Sequence, residues 1–224
     1  MCNLYKTRKS LAEVARLFDA AFDQDAALPN LAEEVFPGLP GMVVRELSGA
    51  RRIEAMTWGF PLVTREMRAR AEQAGKVARP KPVNNARDLA SPFWKSAAAN
   101  PVRRCLIPVE SFAEAAGDKG RKTRTWFSVT DQPVFAWAGL WRPSAQWGDV
   151  YAGVMTEANA AVAPAHDRMP VILARDDHER WLNGSFDEIL ALQQPFASEA
   201  MTVDPTAEPW GGYKSGEGRD LFST

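Results

Sequence analysis

The sequence predicts an α+β fold built on a mixed or antiparallel sheet, and three observations carry that expectation. Strand candidates crowd the middle of the chain, helical patterns sit towards its two ends, and regular βαβ alternation is absent. With 224 residues, 46% of them hydrophobic and 25% charged, the chain can bury a full core. No internal repeat and no linker divides it, so a single domain over residues 1–224 is expected.

Ser10 opens SLAEVARLFDAAF, in which Leu11, Val14, Ala15, Phe18, Ala21 and Phe22 fall on one helical stripe. Ser10 and Glu13 have the spacing of a capping box. A Pro/Gly-rich connector, LPNLAEEVFPGLPG, follows, and then GMVVREL and RRIEAMTWG read as a hairpin across a Ser-Gly turn. Along the second strand Ile53, Ala55 and Thr57 face one way, and Arg52, Glu54, Met56 and Trp58 the other. The stretch from Pro61 to Pro82 reads as irregular and basic. Ser91-Pro92 starts a short helix through FWKSAAAN, with proline at its first position. RRCLIPVE, SFAEAA, TRTWFSVTD, PVFAWAGLW and DVYAGVMT are strand candidates in close succession. DDHERWLNG and SFDEILAL read as late helices, the second with a Ser-x-x-Glu cap; a strand and tail are expected after residue 190.

Several function classes find no support in the residues. No apolar run is long enough to span a bilayer, and MCNLYKTRKS lacks the apolar stretch of a secretory signal, so a cytoplasmic protein with no membrane partner is expected. Cys2 and Cys105 make neither a disulfide framework nor a CxxC metal pair, and His166 and His178 are too few for a histidine-rich metal site. Walker, GxGxxG, HExxH and G-x-S-x-G motifs are missing; no cofactor is expected. The net charge of −1 hides a bias: from Arg45 to Arg104, thirteen Lys/Arg stand against five Asp/Glu. That segment is able to face a polyanion, although ordinary solvated charges read the same way.

Position 2 raises a sharper question. Initiator methionine is normally trimmed before a residue as small as cysteine, which would leave Cys2 with a free α-amine beside its thiol. MCNLY, WGF, NNARD, RCLIPVESFAEAA, AGLW and a Thr156 segment leading to HDRMPVIL occur in the order seen in the SOS-response-associated peptidase (SRAP) family. The chain resembles that family from about Met1 to Leu190. The resemblance implies a single α+β domain with a mixed, bifurcated, partly barrel-like sheet flanked by helices. It also implies binding to single-stranded DNA and a covalent crosslink to abasic sites through the amino-terminal cysteine.

Carried over position by position, Cys2 matches the family nucleophile, and Asn85, Glu114 and His166 match its active-site asparagine, glutamate and histidine. Arg87 matches an arginine that holds DNA phosphate, Trp58 an aromatic near the DNA, and Thr156 a threonine close to the site. Arg51, Arg52 and Arg79 are added as phosphate contacts from the charge bias alone. The family often begins Met-Cys-Gly-Arg and flanks its glutamate with aromatics; here Asn3 and Leu4, and Ala113 and Ala115, take those places.

The chemistry suits these residue types. An α-amine with a reference pKa near about 8 is partly neutral at physiological pH and attacks the aldehyde of an open abasic sugar. The adjacent thiol then closes a thiazolidine, an intramolecular step. Glu114 would move protons, His166 would act as acid towards the sugar, and Asn85 would orient the amine or a hydroxyl. Strand cleavage by β-elimination is a side activity of the same iminium. Taken singly, His166, Asn85 and Glu114 also read as structural residues, and Phe60 and Cys105 are read as core. A cysteine peptidase using Cys2 and His166, with removal of Met1 as its narrowest form, is the alternative; a non-catalytic nucleic-acid module is the third. The expected partner is single-stranded DNA with abasic sites, met by a monomer that joins the nucleoid when bound.

Overall fold

The computed structural model describes residues 2–23, 31–118 and 120–211. Met1, whose removal is expected, the first residues of the connector and the tail after residue 211 lie outside them. The strands are β1 (Tyr5–Lys6), β2 (Ala20–Ala21), β3 (Glu34–Val35), β4 (Pro40–Leu47), β5 (Ala50–Trp58), β6 (Phe60–Leu62), β7 (Lys81–Val83) and β8 (Asn85–Ala86). They continue with β9 (Arg104–Val109), β10 (Ser111–Ala116), β11 (Thr123–Val129), β12 (Phe135–Ser144), β13 (Gly148–Glu157), β14 (Arg168–Pro170), β15 (Ile172–Leu173) and β16 (Met201–Pro209). The helices are α1 (Leu11–Phe18), α2 (Arg65–Gln73), α3 (Lys95–Ala98), α4 (Asp177–Asn183) and α5 (Phe186–Ala191). The α+β expectation holds.

The hairpin of β4 and β5 turns through Ser48 and Gly49, both at positive φ (53° and 76°), the geometry that a two-residue hairpin with right-handed twist requires. From it a ring grows. β5, β4, β9, β12 and β13 pair in succession, and β13 closes the circle on β5 with a parallel pairing of Val150 with Thr57 and Tyr151 with Trp58. Alternation along each strand then sends side chains into two cores. Met56, Trp58, Cys105, Ile107, Trp137 and Tyr151 pack on one side. Ile53, Leu106, Ala136, Ala138, Val150 and Ala152 pack on the other, under Val14 and Phe18 of α1 and Trp181 and Leu182 of α4.

The sheet splits where expected of a bifurcated architecture. β12 and β13 stay paired only as far as Gly139 and Gly153. Beyond that point the segment from Arg168 to Leu173 fills the gap, with Met155 opposite Pro170 and Trp137 opposite Ile172. A second sheet, in the order β16, β11, β10, β1, β3, carries the start of the chain.

Differences from the sequence reading have local causes. The capping box forms, with Glu13 N–H donating to Ser10 Oγ (3.3 Å) and Ser10 N–H to Glu13 Oε2 (3.0 Å). The helix nevertheless ends at Phe18, because Asp19 turns left-handed (φ 51°) and Ala20–Ala21 joins β5 as a strand. The irregular basic stretch contains α2, capped by Thr64; none of its residues is buried, so it has no apolar stripe to betray it. The helix expected at Ser91-Pro92 starts only at Lys95, after a turn. His178 is not on a polar face: it is buried and stacks on Phe18, ring centroids 5.6 Å apart.

Gly153 shows how tightly the ring is drawn. A Cβ there would lie 1.9 Å from Cζ2 of Trp137, whose indole N–H donates to Val154 O at 2.7 Å. Overpacking of this kind typically costs about 1–3 kcal/mol. Gly153→Ala should lower the urea midpoint accordingly, and an unchanged midpoint would contradict the packing described.

Candidate active site

The start of the chain is held at every residue from 2 to 5. Tyr5 pairs with Phe112 across β1 and β10, and Ala113 N–H donates to Leu4 O at 3.0 Å. Leu4 is buried with Ala113 and Trp126, an apolar seat for the residue that stands where the family pattern has an arginine. Cys2 O accepts two side-chain amides, from Asn85 Nδ2 at 2.8 Å and Asn84 Nδ2 at 3.1 Å. Those amides are positioned in turn by the ring, because β8 pairs with β13, Asn85 against Gly153.

This anchoring brings Cys2 next to Glu114, which follows Ala113 on β10. Glu114 is only 2% exposed. Burial lifts its carboxyl to about 7, against the pull of the positive charge at the chain's amino terminus. Cys2 is fully buried, and its Sγ–H donates weakly to Leu4 O (3.6 Å). Burial first, and the Glu114 charge second, push its thiol well above the ordinary cysteine value. At neutral pH the sulfur is therefore protonated. Asn85 contributes a second feature: its Oδ1 is buried and has no hydrogen-bond partner among the described residues.

His166 stands at the end of a loop that Asn159 organises. Asn159 Oδ1 accepts from Ala161 N–H and Val162 N–H (both 3.1 Å), its Nδ2 donates to Phe196 O (2.7 Å), and His166 N–H donates to Val162 O (3.1 Å). His166 Nδ1 accepts the Arg168 N–H at 3.0 Å, which leaves the ring proton of the neutral imidazole on Nε2. Asp167 Oδ1 lies 2.8 Å from the same Nδ1, ready to accept if the ring gains a second proton. Burial, helped by the positive amino terminus, lowers the His166 pKa, so the neutral ring is favoured.

Arg87 is exposed and close enough for its charge to act on His166. Its carbonyl accepts from Gln193 Nε2 (2.8 Å), which also donates to Met155 O (2.8 Å). Thr156, buried, donates from Oγ1 to Gln193 O (3.3 Å). Asn84, Asn159 and Gln193 were not singled out in the sequence. Each bonds a backbone carbonyl distant along the chain, Asn84 that of Cys2, Asn159 that of Phe196 and Gln193 those of Arg87 and Met155, and those bonds leave no local pattern to find.

Four expected DNA contacts are placed elsewhere. Trp58 is fully buried, packed edge-on against Tyr5 (5.2 Å) and Trp137 (5.7 Å), so neither face is open to a base. Its indole N–H donates instead to Asn84 O at 3.1 Å, which makes it a support beneath the site. Arg51 binds Phe18 O (3.3 Å) and Glu179 (3.4 Å) at the far end of β5, seven residues or roughly 23 Å from Trp58. Its exposed neighbour Arg52 shares that end. Arg79 lines an open groove with Lys76, Gln146 and Trp147 beside the turn into β13. That turn is roughly 17 Å of strand away from the Gly153–Asn85 pairing.

Similarity to known proteins agrees with this arrangement. Residues 1–208 match the family described as SOS response associated peptidase (SRAP). The chain belongs to the SRAP family. Abasic site processing protein YoaM of Bacillus subtilis (strain 168) is 35% identical over 107 residues, which cover 44% of this chain and 47% of that one. Abasic site processing protein YoqW of the same organism is 31% identical over 107 residues, 44% and 48% of the two chains. The matched stretch thus spans about half the length of these relatives. A solved structure from Bordetella bronchiseptica superposes with a TM-score of 0.73 at 21% identity, covering 92% of this SRAP chain and 99% of its own. One from Bacteroides thetaiotaomicron gives 0.72 at 19%, covering 91% of each. Those likenesses establish the shared fold. Among the described residues no helix is long and apolar enough to cross a membrane, and no His/Cys/Asp/Glu group is arranged to hold a metal ion.

The Glu114 carboxyl makes a sign-definite prediction. Its folded pKa of about 7 lies above its unfolded value, so its contribution to stability is full below that unfolded value and is lost as pH rises through about 7. Replacing it by glutamine removes the loss. Compared with wild type, Glu114→Gln should therefore gain stability between about pH 5 and pH 8, on the order of 3 kcal/mol by chemical denaturation. A difference that does not change with pH would contradict a raised carboxyl pKa.

Proposed function

We propose that this protein processes abasic sites in single-stranded DNA by forming a thiazolidine crosslink through Cys2. The observation that carries the reading is the double amide clamp on the Cys2 carbonyl beside the buried Glu114, whose carboxyl burial raises to about 7. The names of the two Bacillus relatives, abasic site processing proteins, support the substrate class.

In the full chain the Cys2 nitrogen is an amide and unreactive, so residue 1 must first be removed. The freed amine adds to the sugar aldehyde, a carbinolamine forms, and loss of water gives an imine. The S–H then adds across the C=N bond, sulfur to carbon and proton to nitrogen, and the ring closes with one water lost overall. The raised thiol pKa favours this order: sulfur stays protonated while the amine attacks. Glu114, near half-protonation at neutral pH, supplies a proton to the departing hydroxyl and takes one from the amine. The unpartnered Asn85 Oδ1 is an acceptor for the amine or the carbinolamine hydroxyl; an orphaned buried acceptor costs about 1–3 kcal/mol and is accounted for by a partner that arrives with substrate. His166 Nε2–H donates to the sugar oxygen and favours the open aldehyde, and Arg87 meets a flanking phosphate. The same imine acidifies the neighbouring C–H, which opens the route to β-elimination.

A thiol peptidase needs the opposite electrostatics. Its sulfur must be a thiolate near neutral pH, whereas burial and a neighbouring carboxylate hold this one protonated.

The test is intact mass. Protein lacking residue 1, incubated with abasic single-stranded oligonucleotide, should yield a denaturant-stable species at the summed mass less one water. Cys2→Ser should stop at an imine seen only after borohydride trapping, and Glu114→Gln should slow adduct formation at least about tenfold. A stable adduct of undiminished yield from Cys2→Ala would contradict the proposal. Affinity for the oligonucleotide should fall as salt rises, since phosphate contacts release counterions; a salt-independent affinity would argue against DNA as the partner.

A further inference from the structure

We infer that Asn3 and Asn84 form a side-chain latch that positions the amino-terminal nucleophile for its reaction, an inference that rests on the crosslinking reading above. Asn84 spends both protons of its amide at this one place: Nδ2 donates to Cys2 O and to Asn3 Oδ1, each at 3.1 Å. Its own backbone is pinned from behind. Asn84 O accepts the indole N–H of the fully buried Trp58 (3.1 Å) and the N–H of Gly153 in the ring (3.0 Å). The latch is therefore a rigid extension of the barrel wall into the first residues of the chain. Asn84 itself is buried, and Asn3 is half-buried at the rim.

The need for such a device follows from the covalent chemistry. Once residue 1 is gone, the peptide bond that restrained the terminal residue from its nitrogen side is lost. Its orientation then depends more heavily on what holds it from the carbonyl side. Asn85 alone would leave one hydrogen bond, about which the peptide plane can still swing. The Asn84 bond to the same oxygen fixes that plane, and Asn3 fixes the Asn84 amide. That plane fixes the Cα and the Cα–C axis about which amine and thiol turn, so a slack plane lowers the fraction of time in which the amine faces an incoming aldehyde. Preorganisation of reacting groups is worth large rate factors, and a partial loss of order about tenfold is expected when one of two anchors goes. The pairing also accounts for two residues of this chain together: asparagine at position 3, where the family pattern has glycine, and its partner in the first asparagine of NNARD. Asn3 and Asn84 touch no reacting atom and act through Cys2; they are positioning residues.

The experiment uses full-length protein processed to begin at Cys2, with two readouts. One is the single-turnover rate of adduct formation at saturating abasic single-stranded oligonucleotide; the other is the affinity for the same oligonucleotide without the lesion. Asn3→Ala should slow the first about tenfold and leave the second unchanged. Asn3→Asp keeps an acceptor facing Asn84 Nδ2 and should restore the rate. Asn84→Ala should also slow the reaction, and adding Asn3→Ala to it should cost nothing more, since the pair acts as a unit. Should Asn84→Ala fold poorly, as its melting curve would reveal, the Asn3 series alone decides. Asn3→Ala at the wild-type rate, a failure of Asn3→Asp to rescue, or two effects that multiply would overturn the latch. If wild-type protein forms no adduct, the crosslinking reading fails and the latch falls with it. If wild type reacts and Asn3→Ala keeps pace, the latch alone is wrong.

Discussion

The constraint on which everything else rests is the capture of one peptide carbonyl, that of Cys2, by two side-chain amides. Chain termini ordinarily fray because nothing opposes their conformational entropy. Here the first residues are tied to β10 by a strand pairing and to β8 by Asn84 and Asn85. Because β8 is itself paired to β13, and β13 closes the ring on β5, the position of the terminus is a consequence of barrel closure. The ring is what carries residue 2 to residues 85 and 114, which are far away along the chain.

Burial then sets the chemistry. The same enclosure that excludes water from Glu114 raises its carboxyl into the range where it both gives and takes protons at neutral pH. That enclosure first, and the Glu114 charge second, push the Cys2 thiol well above the ordinary cysteine value. His166 is held by its Nδ1, which accepts the Arg168 N–H, so the proton of the neutral ring lies on Nε2. Cys2, Glu114 and His166 thus come from three separate segments of the chain, brought near one another by the closed ring.

Much of this was legible in the residues, and the exceptions are instructive. The strands β9, β12 and β13 are legible because the ring packs both faces, so they are almost continuously apolar between turn residues. Capping boxes at Ser10 and Ser185 marked helix starts faithfully, since both of their bonds are local. α2 stayed hidden because a helix that buries nothing has no stripe. Cys2, Asn85, Glu114 and His166 were reached through a resemblance over several short strings, not through any one motif. Trp58 is buried by the closed ring around it, and an aromatic beside a site reads alike in the sequence whether it faces solvent or core. Arg51 and Arg79 were chosen for charge, and charge carries no address. The long-range bonds of Asn84, Asn159 and Gln193 left no trace, because a side-chain amide that bonds a remote carbonyl has no periodicity.

The claim at the centre is that nitrogen and sulfur of one terminal residue end on the same sugar carbon. Carbon-13 NMR of the complex with an oligonucleotide labelled at the abasic aldehyde carbon reads this directly. The account predicts a saturated carbon bonded to both N and S of Cys2. A carbon that remains a sugar hemiacetal, or that rests as an unsaturated imine with the thiol still free, would contradict it.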